Sequence, residues 1–186
     1  IFKRFPTVGP RTASRFVFYL LKLNHEEIDE LANTIHELKN KVKFCQFCFQ
    51  PFEDAASENL CSICANSSRD KNLLCIVEKE NDLISIEKTK KYRGLYFILG
   101  GTVETMRKED VSKLRIEELK ERISESFRFG LPKIDFAEVI IAINPTPEGR
   151  ATSILVEREL KSIQSPVFKV THLAQGIPVG GELEYA

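Results

Sequence analysis

Nowhere does the sequence of 186 residues approach the ~20 consecutive apolar residues of a membrane-spanning helix, which excludes an integral membrane protein of that kind. The opening residues IFKRFPTVGP lack the apolar stretch of a secretory signal. Net charge is lacking too, since 27 Lys and Arg balance 27 Asp and Glu. No global basicity attracts nucleic acid, and any such contact must come from a local patch. Internal repeats and low-complexity tracts are missing, which leaves one or two ordinary compact domains. A disulfide framework is excluded by the cysteines themselves: there are five, an odd number, and four of them fall in two tight pairs. That usage points to a reduced compartment, the cytoplasm, and to a metal.

What is present begins with charge. Residues 1–24 contain Lys3, Arg4, Arg11, Arg15 and Lys22 and no acidic residue. The breaker Val8-Gly9-Pro10 is followed by a helical run from Arg11 to about Leu23. Asn24 suits an N-cap with Glu27 as its capping-box partner, and Ile28, Leu31, Ile35, Leu38 and Val42 then recur at helical spacing. Residues 1–43 thus read as helix, short turn, helix. Helical periodicity stops from Phe44 to about Arg69, where the cysteine pairs lie. Beyond it, Leu73–Val77, Leu95–Leu99, Val139–Ile143 and Val167–Val170 predict strands, the first three apolar enough to be buried on both faces. Helical candidates around Leu83–Lys90, Leu114–Phe129 and Ala151–Ile163 alternate with them, which implies crossovers and a mainly parallel sheet sandwiched by helices. The fold class is α/β, and the Gly-rich tail from 176 to 181 is too rich in breakers for a regular element.

Three constellations carry chemistry. Cys45-x-x-Cys48 and Cys61-x-x-Cys64 stand twelve residues apart, and two such pairs complete a closed tetrahedron of thiolates around Zn²⁺. A closed site leaves no position for water, so the expected zinc, one per chain, is structural. Cys75, inside an apolar strand, reads as a small core residue. Next, Phe5-Pro6-Thr7-Val8-Gly9-Pro10-Arg11 precedes a helix, and a glycine-containing turn at a helix N-terminus offers amides to a phosphate. Arg11 and Arg15, one turn apart, flank the same phosphate run and read no sequence. This segment resembles the helix-hairpin-helix DNA-binding motif, except that Thr7 stands where its first glycine is expected. The third lies at the ends of the strands, where Val77-Glu78 and Ile143-Asn144-Pro145-Thr146-Pro147-Glu148-Gly149-Arg150 are found. It resembles a Toprim domain, in which an Asp-x-Asp-x-Glu-Gly segment holds Mg²⁺ and an earlier Glu acts as acid or base. Here Asn144 and Thr146 occupy the aspartate positions and only Glu78 and Glu148 remain, a poor set for a hard cation.

Taken in order, the hairpin, the four cysteines and the Toprim-like region make the chain similar to the RecR family of bacterial recombination mediators. The residues that carry the likeness include Gly9-Pro10 with Arg15, the two cysteine pairs, Tyr92-Arg93-Gly94, Leu99-Gly100-Gly101, Asn144-Pro145 with Glu148-Gly149, and the tail Gly176-Ile177-Pro178-Val179-Gly180-Gly181-Glu182-Leu183-Glu184-Tyr185-Ala186. The resemblance implies a division into a DNA-binding hairpin region 1–43, a zinc element 44–70, a Toprim domain 71–171 and an assembly segment 172–186. It implies a non-enzymatic, DNA-binding protein that acts with RecO and RecF to load RecA onto single-stranded DNA coated with single-strand-binding protein. It further implies dimers or ring-shaped tetramers formed through the end segments, with Arg11 and Arg15 facing DNA and Glu78 and Glu148 facing RecO. Arg150 stands where many relatives have another Glu. The alternative is an active, metal-dependent Toprim enzyme acting on DNA phosphodiesters, against which Asn144 and Thr146 argue.

Overall fold

The computed structural model describes residues 1–53, 59–103, 114–163 and 167–174. The chain divides into two compact units, one built mainly on Ile1–Val42 and a larger one on the residues from Lys43 onward.

In the first unit, a short 3-10 turn (Phe2–Arg4) leads to α1 (Pro10–Leu20) and then α2 (His25–Lys41). Gly9 is the N-cap of α1 and Pro10 its first residue, where the missing N–H is no loss and the fixed φ suits a helix. Helix α2 opens as the sequence predicts. The Glu27 amide donates to the Asn24 side chain at 2.9 Å, and the Asn24 amide donates back to the Glu27 carboxylate at 2.9 Å. Glu26 and Glu27 in the first turn and Lys39 and Lys41 in the last complement the helix dipole. The apolar stripe behaves differently from a core stripe, for Leu31, Ile35 and Leu38 are all exposed in the single chain.

After α2 come a two-stranded sheet of β1 (Val42–Phe44) and β2 (Pro51–Glu53) and a four-residue helix, α3 (Ser62–Ala65). Among the described residues, the centre of the larger unit is a four-stranded parallel sheet of β3 (Leu73–Val77), β4 (Leu95–Ile98), β5 (Glu138–Ala142) and β6 (Lys169–His172), in the order β4-β3-β5-β6. Helices α4 (Glu80–Lys88), α5 (Ile116–Ser124) and α6 (Pro147–Lys161) alternate with the strands. Successive strand residues serve opposite faces. Leu74, Ile76, Phe97, Val139 and Ile141 join one core with Leu119 and Ile123 of α5, while Cys75, Val77, Tyr96 and Ile98 join another with Leu83 of α4. Burial on both faces explains why these strands read as unbroken apolar runs.

Three helices and a strand depart from their expected bounds for local reasons. Helix α6 starts at Pro147 rather than Ala151, because the Thr146 hydroxyl accepts from the Gly149 amide at 3.1 Å and Pro147 fills the first helical position. The run 114–129 is two pieces, α5 and a 3-10 turn (Ser126–Phe129), since the Ser126 hydroxyl donates to the Pro132 carbonyl and accepts from the Ile134 amide. Helix α4 begins at Glu80, where the Asp82 carboxylate accepts from the Lys79 amide at 3.0 Å. Strand β6 lies two residues beyond the predicted run, in register with Glu138–Ile141.

The cysteine segment shares its core with the α/β region. Cys45, Phe47, Cys48, Cys61 and Cys64 pack in the same cluster as Leu74 and Phe97, Phe47 stacks on Phe136 at 6.4 Å, and the Ile98 amide donates to the Cys48 carbonyl at 3.1 Å. That last bond covers part of the edge of β4. Among the described residues no helix is long and apolar enough to cross a membrane. The Gly-rich tail lies outside the described residues.

Candidate functional site

Two turns bring the four cysteines together. In the first, the Cys45 amide donates to the Gln50 carbonyl at 2.9 Å and the Phe49 amide to the Cys45 carbonyl at 3.0 Å, which curls Cys45-Gln46-Phe47-Cys48 so that both sulfurs point one way. The Gln50 amide also donates to Cys48 Sγ at 3.4 Å. In the second, Cys61 caps α3 and Cys64 sits one turn on. All four ligand atoms lie within 4.8 Å of one another and every one of the residues is buried. Cys48 Sγ and Cys61 Sγ are 3.6 Å apart, close to the ~3.8 Å edge of a tetrahedron with ~2.3 Å zinc–sulfur bonds. The donor set therefore fits a soft, tetrahedral metal ion. Shared hydrogen bonds, first of all with Cys48, hold the Cys45 thiol below its ordinary range, while those with Cys45 and the other two push Cys64 above it.

Around this cluster stands a pair of arginines that the sequence reading passed over. Arg122 of α5 is 7% exposed. Its guanidinium donates to the Gln46 carbonyl, inside the first cysteine turn, at 3.2 Å and to the Glu118 carbonyl at 3.2 Å. It lies 4.6 Å from the Phe49 ring centre and 4.0 Å from that of Phe129. Arg115, half-buried just before α5, lies 4.5 Å from the Phe49 ring and donates to the Ile98 carbonyl at 3.1 Å. A signal did exist: Arg122 interrupts the stripe Ile116, Leu119, Ile123, where a charge is out of place.

In the hairpin, Arg11 and Arg15 are both exposed on α1, and neither forms an ion pair among the described residues. Thr7 has φ 63, a left-handed conformation that glycine adopts without strain.

At the carboxyl edge of the sheet, the register sets Val77 beside Ile98 and Ala142, so Glu78, Leu99 and Ile143 leave the sheet together. Glu148 is exposed in the first turn of α6. Glu78 differs from the expected open carboxylate: it is 8% exposed and pairs with Lys79 at 2.7 Å. The Thr146 hydroxyl is taken by its capping role, and the Asn144 carbonyl accepts from the Thr146 amide at 2.9 Å. Among the described residues the four cysteines are the one group of three or more Cys, His, Asp or Glu side chains close enough to hold an ion. An amide, a hydroxyl and two separate carboxylates do not fit Mg²⁺, which needs clustered oxygen ligands with negative charge.

A parallel sheet between helices with residual acidic positions at its carboxyl edge, in a chain that also carries a helical hairpin unit and a four-sulfur cluster able to hold a metal ion, has the arrangement of a Toprim protein. The profile of the Toprim domain matches residues 72–174, and that of the RecR helix-hairpin-helix matches residues 1–39. The chain is 40% identical over 185 residues to the recombination protein RecR of Bifidobacterium adolescentis, covering 100% of this chain and 85% of that one. It is 38% identical over 185 residues to the RecR of Clostridium perfringens, with the same 100% and 85% coverage. The RecR of Gloeothece citriformis is 40% identical over 184 residues, 99% of this chain and 84% of its own. The chain belongs to the RecR family.

Proposed function

We propose that the chain is a non-enzymatic scaffold of recombinational DNA repair in the cytoplasm. It binds DNA without regard to sequence and acts with RecO and RecF to load RecA onto single-stranded DNA coated with single-strand-binding protein. One observation supports this above the rest: a Toprim sheet keeps its shape while the positions that would bind Mg²⁺ carry Asn144 and Thr146, the latter used as a helix cap. A domain so altered serves better as a surface than as a catalyst. Relatives named as recombination proteins support the same role.

Each part of the chain takes a task in this reading. Region 1–43 meets DNA through Arg11 and Arg15, element 44–70 is held by one structural Zn²⁺ on Cys45, Cys48, Cys61 and Cys64, and the Toprim domain 71–171 presents Glu78 and Glu148 to RecO. Segment 172–186 takes part in assembly. Self-association into a dimer or ring tetramer is supported by α1, whose Phe16, Val17, Phe18 and Tyr19 are all exposed in the single chain, more apolar surface than a monomeric helix leaves in water.

The test is DNA binding followed across salt, with native mass measured in parallel. Wild type is expected to bind single- and double-stranded DNA of unrelated sequence. Arg11→Ala with Arg15→Ala should weaken binding sharply and lower the salt slope by about one for each phosphate no longer neutralised. An unchanged slope in the double variant removes the hairpin as the DNA site. Mg²⁺-dependent cleavage or joining of DNA by wild type restores the enzyme reading and overturns this one.

A further inference from the structure

We propose that Arg122, seconded by Arg115, is the counter-cation of the metal–thiolate centre, a positioning residue that sets how tightly the four cysteines hold their metal. The proposal rests on the reading of Cys45, Cys48, Cys61 and Cys64 as one metal site. Four thiolates around one divalent ion carry a net charge of −2, and all four residues are buried. A dianion in a low-dielectric core is costly unless positive charge lies beside it.

Arg122 poses the complementary problem. Its side chain is 8% exposed and its buried Nε has no hydrogen-bond partner among the described residues. The carboxylate within bridging distance, Glu121 at 3.4 Å, is 57% exposed and largely spent on water. Arg122 and Arg115 crowd the same Phe49 ring at 4.6 and 4.5 Å, an arrangement of like charges that disfavours itself unless an anion is near. The contacts of both lead to the cysteine turn. Arg122 donates to the carbonyl of Gln46, between Cys45 and Cys48, and Arg115 donates to the carbonyl of Ile98, whose own amide binds the Cys48 carbonyl.

Phe49 strengthens the case. It follows Cys48 directly and has φ 65, a strained conformation for an aromatic residue. Its ring meets the edge of Phe97 at 5.6 Å and offers its π-electrons to both guanidinium groups. The strain is tolerated where the ring serves both cations. Burial pushes the Arg122 guanidinium below its ordinary value, and negative charge at Glu121 and Glu118 opposes that push. One buried and one half-buried cation, both bonded to carbonyls of or next to the cysteine turn, offset the dianion's charge, and Arg122 and the thiolates make each other's burial tolerable.

The experiment measures zinc affinity of the full chain by competition with a chromophoric chelator, and thermal stability with and without zinc. Arg122→Met keeps the length of the side chain and removes its charge, and should weaken zinc binding between about tenfold and a hundredfold. Arg122→Lys should recover part of that loss, and Arg115→Met should cost less than Arg122→Met because Arg115 is the more exposed. The decisive readout is the metal-free protein, in which Arg122→Met should be no less stable than wild type, since a buried cation without its anion has been removed. Equal zinc affinity in wild type and Arg122→Met overturns the proposal. So does a loss of stability in metal-free Arg122→Met as large as in the loaded protein, the mark of a merely structural arginine. Should Arg122→Met fail to fold, Arg115→Met carries the same comparison. Wild type that binds no zinc overturns the metal reading beneath it.

Discussion

At Thr7 the backbone has φ 63 and the residue is β-branched, the type that tolerates this region least. The strain amounts to about 1–2 kcal/mol, while glycine at the same place costs about 0.5–1 kcal/mol in extra chain entropy. Thr7→Gly should therefore raise the stability of the N-terminal unit by up to about 1 kcal/mol, and Thr7→Val should raise it not at all, as thermal melts would register. The mismatch with the hairpin motif is legible in the sequence because a glycine position is defined locally. Cys75 is legible for the same reason, standing inside an apolar run. Burial pushes its thiol up to about 12, so its thiolate is scarce at any ordinary pH. Native protein treated briefly with an alkylating reagent at pH 8 should leave Cys75 unlabelled, while the same pulse in denaturant labels it; equal labelling of Cys75 in the two states would contradict its burial. Arg122 was legible only as a charge out of place among the apolar positions of α5, and its partner was not, since no local pattern points to Phe49, two segments away in sequence.

Elements were readable where their signals were short-range. The Asn24–Glu27 box marks the start of α2 to the residue, and the strands β3, β4 and β5 lie within a residue of their predicted ends. The start of α6 was hidden by Pro147 and Gly149, which look like breakers and act otherwise. Pro147 opens the helix, and Gly149 is glycine because a Cβ there would fall 1.9 Å from the Asn144 carbonyl oxygen. Gly149→Ala should accordingly destabilise the domain by more than about 2 kcal/mol through backbone displacement, whereas Thr146→Ala, which removes only a cap, should cost about 1 kcal/mol. Denaturant midpoints of the two variants would separate these sizes, and a Gly149→Ala protein as stable as wild type would deny the close approach. The cysteine element allows a similar ranking. Cys45→Ser should abolish stoichiometric zinc and lower the melting temperature, while Phe47 and the Cys48–Ile98 bond keep the segment docked against β4.

For the whole molecule, what the sequence could not say is which apolar surface belongs to the chain's own core. The stripe of α2 has the spacing of core residues, yet Leu31, Ile35 and Leu38 are exposed, because periodicity reports an apolar face and not what covers it. Charge at the Toprim edge has the same ambiguity. Glu78 and Glu148 look equivalent in sequence, but one is closed against Lys79 and the other stands open on the first turn of α6. In the RecO contact proposed above, the two should therefore contribute unequally. An exposed carboxylate at a rim steers a basic partner and acts on the association rate, and its effect fades with salt. Glu148→Lys should slow RecO association several-fold at low ionic strength and leave dissociation and folding nearly unchanged. Glu78→Lys places a second cation beside Lys79 in a site with little access to water, so its main effect should be lost stability. Glu78→Gln, which keeps the shape, should leave the association rate close to that of wild type. Surface-bound RecO with these variants in flow, at two salt concentrations, distinguishes the cases. Equal slowing by Glu78→Gln and Glu148→Lys would mean that the Lys79 pair opens on binding, and no slowing by Glu148→Lys would remove this edge as the partner surface.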